Sequence, residues 1–245
     1  MNKFIPNGVK ILVNFNLSRA FRSIYGIFYL LIGIAMPIIF SAILLSSFKS
    51  ILESPIGASI LGQTIPAIIP LMATIGGMGV TYLFSTDRSN GVYEYLIATG
   101  KIKIQDIFLS FSIVTIALIS IILGTDITAI FIIINFMAPS TTVTIFELIA
   151  VFSVPVAYVS SLISILAMLT WVSMSKTYPG VNAPGGIGSV IGFIPPMFFL
   201  IVIVRIFHPL DIILIGGLFS IILFIIFIAL LIVVVRRMSN ERMLT

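Results

Sequence analysis

The sequence predicts an all-α integral membrane protein with six transmembrane helices, both termini cytoplasmic, an N-terminal interfacial helix and one short helix in a cytoplasmic loop. Three observations carry this. Of 245 residues, 60% are hydrophobic and 9% charged, whereas a soluble domain carries about 45–50% apolar and about 25% charged residues. The apolar residues fall into six runs, near 24–48, 62–84, 107–135, 145–171, 188–207 and 212–235. Each can cross a hydrocarbon core of about 30 Å, which takes about 20 helical residues. The basic residues are divided unevenly. With the N-terminus inside, Lys3, Lys10, Arg19, Arg22, Arg88, Lys101, Lys103, Lys176, Arg236, Arg237 and Arg242 are cytoplasmic, and Lys49 and Arg205 are left outside. That bias sets the orientation. The net charge of +5 then reports contact with anionic headgroups of the bilayer, and no nucleic-acid partner is inferred from it.

Taken in order, residues 1–23 hold the interfacial helix. The stretch VKILVNFNLSRAFR, residues 9–22, puts Val9, Val13, Leu17 and Phe21 at i, i+4 spacing, with Lys10, Asn14, Ser18 and Arg22 on the neighbouring stripe. Ile11 and Phe15 interrupt the polar face. Such a helix lies along the cytoplasmic leaflet; the alternative is a basic flank that only sets topology. The first apolar run is followed by Lys49 and Glu53, with no small-residue cleavage site, and is expected to remain as a span. Prolines fall inside several spans: Pro37 in the first, Pro66 and Pro70 in the second, Pro155 in the fourth, Pro195 and Pro196 in the fifth. In lipid they are tolerated where neighbours or cavity water satisfy the freed carbonyls. Gly76, Gly77 and Gly79, and later Gly216 and Gly217, allow close helix approach. The third run exceeds a straight crossing at about 1.5 Å per residue, so it tilts, breaks or protrudes. No stretch of soluble composition separates the spans, and 1–245 is expected to be a single transmembrane domain.

Several chemistries have no residues to carry them. There is no G-x-x-x-x-G-K-[ST] phosphate loop, no G-x-S-x-G elbow and no H-E-x-x-H pair, the one histidine being His208 before Pro209. With no cysteine, thiolate metal sites and disulfides are excluded too. The chain is therefore expected not to be an enzyme and to hold no metal. Within the spans Asp126 is the serious candidate for a functional charge. Counted from Ile107 it lies about twenty residues along, near the outer boundary of the core. It is either an interfacial carboxylate or a buried one paired with Arg205, for which Glu147 and Asp211 are competing anions. An ion-coupled carrier or channel would be built on Asp126 and Arg205.

The loop 85–106 contains DRSNGVYEYLIATGKIKIQD, residues 87–106. Gly91 to Thr99 make a short helix, with Asp87, Ser89 and Asn90 placed to cap its start and Gly100 to end it in the left-handed conformation. Tyr93, Leu96 and Ile97 form one stripe and Val92, Tyr95 and Thr99 the next, which leaves Glu94 as the polar position. A helix this short cannot span a bilayer, and one this apolar should not face water. It is pressed into the headgroup layer or docked in another protein's groove, rimmed by Arg88, Lys101, Lys103 and Asp106.

This loop resembles that of the membrane permeases of type-2 ABC exporters, which reads loosely E-R-E-x-G-T-L-E-x-L-L-x-T-P. The chain keeps Arg88, Gly91, Glu94, Leu96, Ile97 and Thr99 in matching positions, with Asp87 in place of the first glutamate. It departs from the pattern at Ser89, Val92, Tyr93 and Gly100. The run APGGIGSVIGFIPPMFF is similar to the small-residue stretch leading to proline in the fifth span of such permeases. The resemblance implies a multi-pass permease of the plasma membrane. Its loop helix would be a coupling helix seated in a cleft of a separate ABC ATPase subunit, present in two copies. A second permease subunit, in a homodimer, would complete the substrate path, and ATP and Mg would reside on the partner ATPase with no cofactor on this chain. Glu94 would be the polar contact at the joint, Gly91 the tight turn into it, and Leu96, Ile97 and Thr99 the docking face, with Asp87 and Arg88 beside them. The alternatives are an interfacial re-entrant helix without a partner, and the ion-coupled carrier.

Overall fold

The computed structural model describes residues 7–47, 55–137, 145–147 and 149–174, with isolated positions between 194 and 229. The expected spans near 188–207 and 212–235, and with them Arg205, His208 and Asp211, lie outside the described residues. What is described is helical almost throughout: α1 (Asn7–Arg22), α2 (Ile24–Ser47), α3 (Pro55–Ser89), α4 (Val92–Ala98), α5 (Ile104–Met137), then a π-helical turn (Ile149–Ser153) running into α6 (Val154–Met174). Ile24–Ser47, Thr64–Phe84 and Ile104–Met137 are long and apolar enough to cross a membrane. The fourth expected span is not one uniform helix. Pro155 has no N–H to give, and the chain reaches it through the wider π turn.

The break between α1 and α2 is one residue long. Ser23 Oγ accepts the Gly26 N–H at 3.0 Å, capping the first turn of α2. A Cβ on Gly26 would run into the Ala20 carbonyl, so only glycine lets α1 fold back over the start of α2. The inward face of α1 is Val9, Leu12, Asn16 and Ala20. This differs from the expected apolar stripe: Val13 and Leu17 are half-buried, while Phe21, Ile11 and Phe15 are exposed. The buried face packs against α5, where Asn16 Nδ2 donates to Ser110 Oγ at 3.4 Å.

α2 turns one stripe inward, Gly26, Leu30, Gly33, Pro37, Ser41 and Leu45, at spacings of three and four. It runs antiparallel to α3. The Tyr25 and Tyr82 rings are 4.5 Å apart, Tyr29 packs on Gly79, and Gly33 meets Gly76. Ile122 of α5 wedges into this seam: a Cβ on Gly33 would lie 3.1 Å from both Gly76 Cα and Ile122 Cδ1. The next residue of α3, Gly77, faces Ser161 of α6 and Ile119 of α5. The glycines thus serve close packing, which is how helices associate where lipid is as apolar as the side chains. Pro70 leaves the Pro66 carbonyl without its helical donor, and the Ser153 hydroxyl supplies one at 2.6 Å.

α5 is unbroken despite its excess length, and its first turns, Ile104, Phe108 and Phe111, are buried beside α1 and α4. An added bulk at the seam tests this packing. Gly33→Leu is expected to cost about 1–3 kcal/mol and to lower the thermal unfolding midpoint in detergent. Gly124→Ala, where a Cβ meets nothing within 4 Å among the described residues, leaves the midpoint unchanged; equal midpoints for the two variants would contradict the seam.

Candidate functional site

Four elements converge where α3 ends and α5 begins. In the last turn of α3, Asp87 is 3% exposed. Its two oxygens accept from Arg19 Nη1 of α1 at 2.5 and 2.6 Å, and Oδ2 also accepts from the Tyr93 hydroxyl of α4 at 3.0 Å. The Tyr93 ring stacks on Phe84 of α3 at 4.9 Å and meets the edge of Phe111 of α5 at 6.1 Å, while Phe84 and Phe111 meet at 5.1 Å. Arg19 in turn lies over the Phe15 ring, 5.2 Å from its centroid. A carboxylate this buried is costly unless paired and hydrogen-bonded. Here one arginine and one phenol do both, and so fasten α1, α3 and α4 together.

The expected capping role of Asp87 is therefore corrected. Gly91 precedes α4 with φ 70, and no side chain caps the helix. Asn90 is exposed, and the side chains of Arg88 and Ser89 lie outside the described residues. Gly91 instead turns the chain sharply enough, in the left-handed region that favours glycine, for Tyr93 to reach back to Asp87. The expected terminator is present: Gly100 has φ 69 and donates its N–H to the Ile97 carbonyl at 2.9 Å. Beyond it, Asp106 Oδ2 accepts the Lys103 N–H at 2.9 Å, so an acid in the first turn of α5 reaches back to its start.

α4 has an inner and an outer face. Tyr93 and Ile97 point inward and are buried. Tyr95 is 73% exposed, and Ala98 and Thr99 are exposed with it, while Val92, Glu94 and Leu96 are half-buried. The docking face expected from Leu96, Ile97 and Thr99 is thus corrected at Ile97, whose side chain packs on the chain's own core. Half of the apolar surface that made this helix conspicuous is covered by α3 and α5, and Tyr95 heads what remains open. The Tyr93–Asp87 bond leaves a trace in the sequence, a tyrosine and an acid six apart across a glycine. Arg19, 68 residues before Asp87, leaves none.

Asp126 lies elsewhere. It is fully buried, and neither carboxylate oxygen has a hydrogen-bond partner among the described residues. Gly77 meets Ile119 and Gly76 meets Ile122, which sets Asp126 level with residues 70–72, inside the candidate span Thr64–Phe84. Glu147 is exposed, and the expected partner Arg205 lies outside the described residues. Among the described residues no three of His, Cys, Asp and Glu group to hold a metal. No family model, no curated protein and no solved structure matches the chain.

Two outcomes are expected at this cluster. Asp87→Ala leaves Arg19 and Tyr93 unpaired and costs on the order of 3 kcal/mol, read as a lower unfolding midpoint; the double swap Arg19→Asp with Asp87→Arg recovers part of it. Burial first, then the Asp87 charge and the hydrogen bond to it, push the Tyr93 hydroxyl well above its ordinary range. A raised acid stabilises the fold below its unfolded value of about 10 and loses that contribution as pH rises through the folded value. Stability should be flat to about pH 9 and fall above about pH 10, and Tyr93→Phe should flatten that fall.

Proposed function

We propose that the chain is the transmembrane permease subunit of an ATP-driven exporter, working as a homodimer with two copies of a separate ATPase subunit. α4 is the observation that carries the proposal. It is a short helix outside the candidate spans, pinned on its inner face by Tyr93 and Ile97 and open on its outer face at Tyr95, Ala98 and Thr99. An exposed tyrosine on a rigid support is a favourable anchor for a partner's pocket. The likeness of 87–100 to the coupling loop of such permeases supports the same reading, and the lack of a phosphate-binding loop on this chain fits a partner that supplies ATP and Mg.

In this reading, ATP-driven closure of the ATPase pair pushes on α4. The push reaches α1 and α3 through Asp87 and reaches α5 through the Phe84–Tyr93–Phe111 stack. The permease halves then rock between inward- and outward-facing states in the plasma membrane, with α4 and both termini on the cytoplasmic side. ATP binding must favour one of those arrangements, since a ligand shifts states only by its differential affinity. A second reading, an ion-coupled carrier or channel using Asp126 and Arg205, is favoured by the complete burial of Asp126. It gives no reason for a pinned helix with an open outer face.

A pull-down of the tagged chain in mild detergent is expected to bring an ATP-binding subunit with it. Tyr95→Ala should weaken that association about thirtyfold, for a truncated anchor worth about 2 kcal/mol. Glu94→Arg should abolish association while the chain still inserts. ATP-coupled export that is unchanged in both variants would reject the assignment.

A further inference from the structure

Apart from Asp106 in the first turn of α5, Asp126 is the one carboxylate in the three candidate spans. The helices around it carry prolines near its level. Tyr25 meets Tyr82, Tyr29 meets Gly79 and Gly33 meets Gly76; carried up one turn from Gly33 and Ile122, this register sets Pro37 and residues 70–72 beside Asp126. From the hydroxyl pair Ser120–Tyr158, 2.7 Å apart, α6 runs antiparallel to α5 and reaches the same level at Ser153, the end of the π turn, next to Pro155. Pro37 leaves the Gly33 carbonyl without its helical N–H, Pro70 does so for the Pro66 carbonyl, which the Ser153 hydroxyl then serves, and Pro155 has no N–H for the π turn. Three neighbouring helices thus give up backbone hydrogen bonds around one buried carboxylate. Ser41, one turn beyond Pro37, adds a buried hydroxyl that finds no partner among the described residues.

We infer that Asp126 and the carbonyls freed around it bind a small monovalent cation, a proton or an alkali ion, inside the bundle. An uncompensated charge in hydrocarbon costs several kcal/mol. Interrupted helices that turn their carbonyls toward a buried site are how membrane proteins coordinate cations. One carboxylate balances one positive charge, and no group of metal ligands stands near it among the described residues, so the ion is monovalent. A bound proton converts the carboxylate to a hydroxyl donor for a freed carbonyl, and an alkali ion takes both as ligands. The titratable groups on the packed helices are elsewhere. Tyr25, Tyr29 and Tyr82 lie toward the α4 end, Tyr158 is bonded to Ser120, and Asp87 is bonded to Arg19. Asp106 lies about 30 Å along α5 by its helical rise. The site belongs to the bundle and does not rest on what docks at α4. Unlike the carrier reading, it gives Asp126 an exchangeable cation as its partner in place of Arg205.

The test uses the detergent-purified full chain without any ATPase, so its failure would leave the reading of α4 standing. Thermal unfolding midpoints are measured over an about hundredfold range of sodium, with choline holding ionic strength constant, and between about pH 5 and pH 8 at the lowest sodium. The wild-type midpoint should rise with sodium, identifying an alkali ion, or with acidity alone, identifying a proton, and Asp126→Asn should lose that response. Pro37→Ala returns a helical donor to the Gly33 carbonyl and should lower the apparent cation affinity about tenfold in a folded protein; it decides the matter if Asp126→Asn does not fold. Identical responses in wild type and Asp126→Asn overturn the inference, as does unchanged affinity in Pro37→Ala. So does a cation response that emerges only in Arg205→Gln, because the carboxylate would then belong to a pair with that arginine.

Discussion

Asp87 is enclosed by protein, and a carboxylate in that position must find a cation or cost the fold several kcal/mol. The cation comes from α1, the second donor from α4, and the carboxylate itself from the end of α3. Three segments far apart in the chain are therefore held at one point. Their relative placement then fixes much of the rest. With Arg19 anchored, α1 lies against the first turns of α5, where Asn16 meets Ser110. With Tyr93 anchored, α4 stands with Ile97 inward and Tyr95 outward.

The bundle beyond that point is held differently. Hydrocarbon offers no hydrophobic drive for one helix to join another, so shape and satisfied polar groups must suffice. Gly33, Gly76 and Gly77 let α2, α3 and α6 approach until Ile119 and Ile122 of α5 fill the remaining space. The prolines that interrupt these helices do not all leave their carbonyls bare: Ser153 satisfies the one freed by Pro70. In the proposed exporter reading, the Asp87 cluster at the α4 end of this seam receives the push.

Much of this could be read from the sequence where the signal is local. Runs of apolar residues gave three spans their place, and Gly91 and Gly100 marked both ends of α4 because both positions need positive φ. The fourth expected span carried its interruption in Pro155, although not its π form. What escaped depended on partners. The inward stripe of α1 was misjudged because α5 covers it; apolar periodicity alone cannot distinguish a protein neighbour from lipid. Asp87 is a good helix cap by type, yet a half-buried arginine and a buried phenol outcompeted the backbone donors for it. No local pattern joins Arg19 to Asp87.

The central claim is that α4 and α1 are one mechanical body because Asp87 holds them. Spin labels on cysteines introduced at Ser18 and Thr99 read this directly, since both positions are exposed and the chain has no cysteine of its own. Pulsed dipolar measurement on the purified chain should give one narrow distance distribution that broadens in Asp87→Ala. A distribution already broad in the wild type, or one that Asp87→Ala leaves narrow and unmoved, would contradict it.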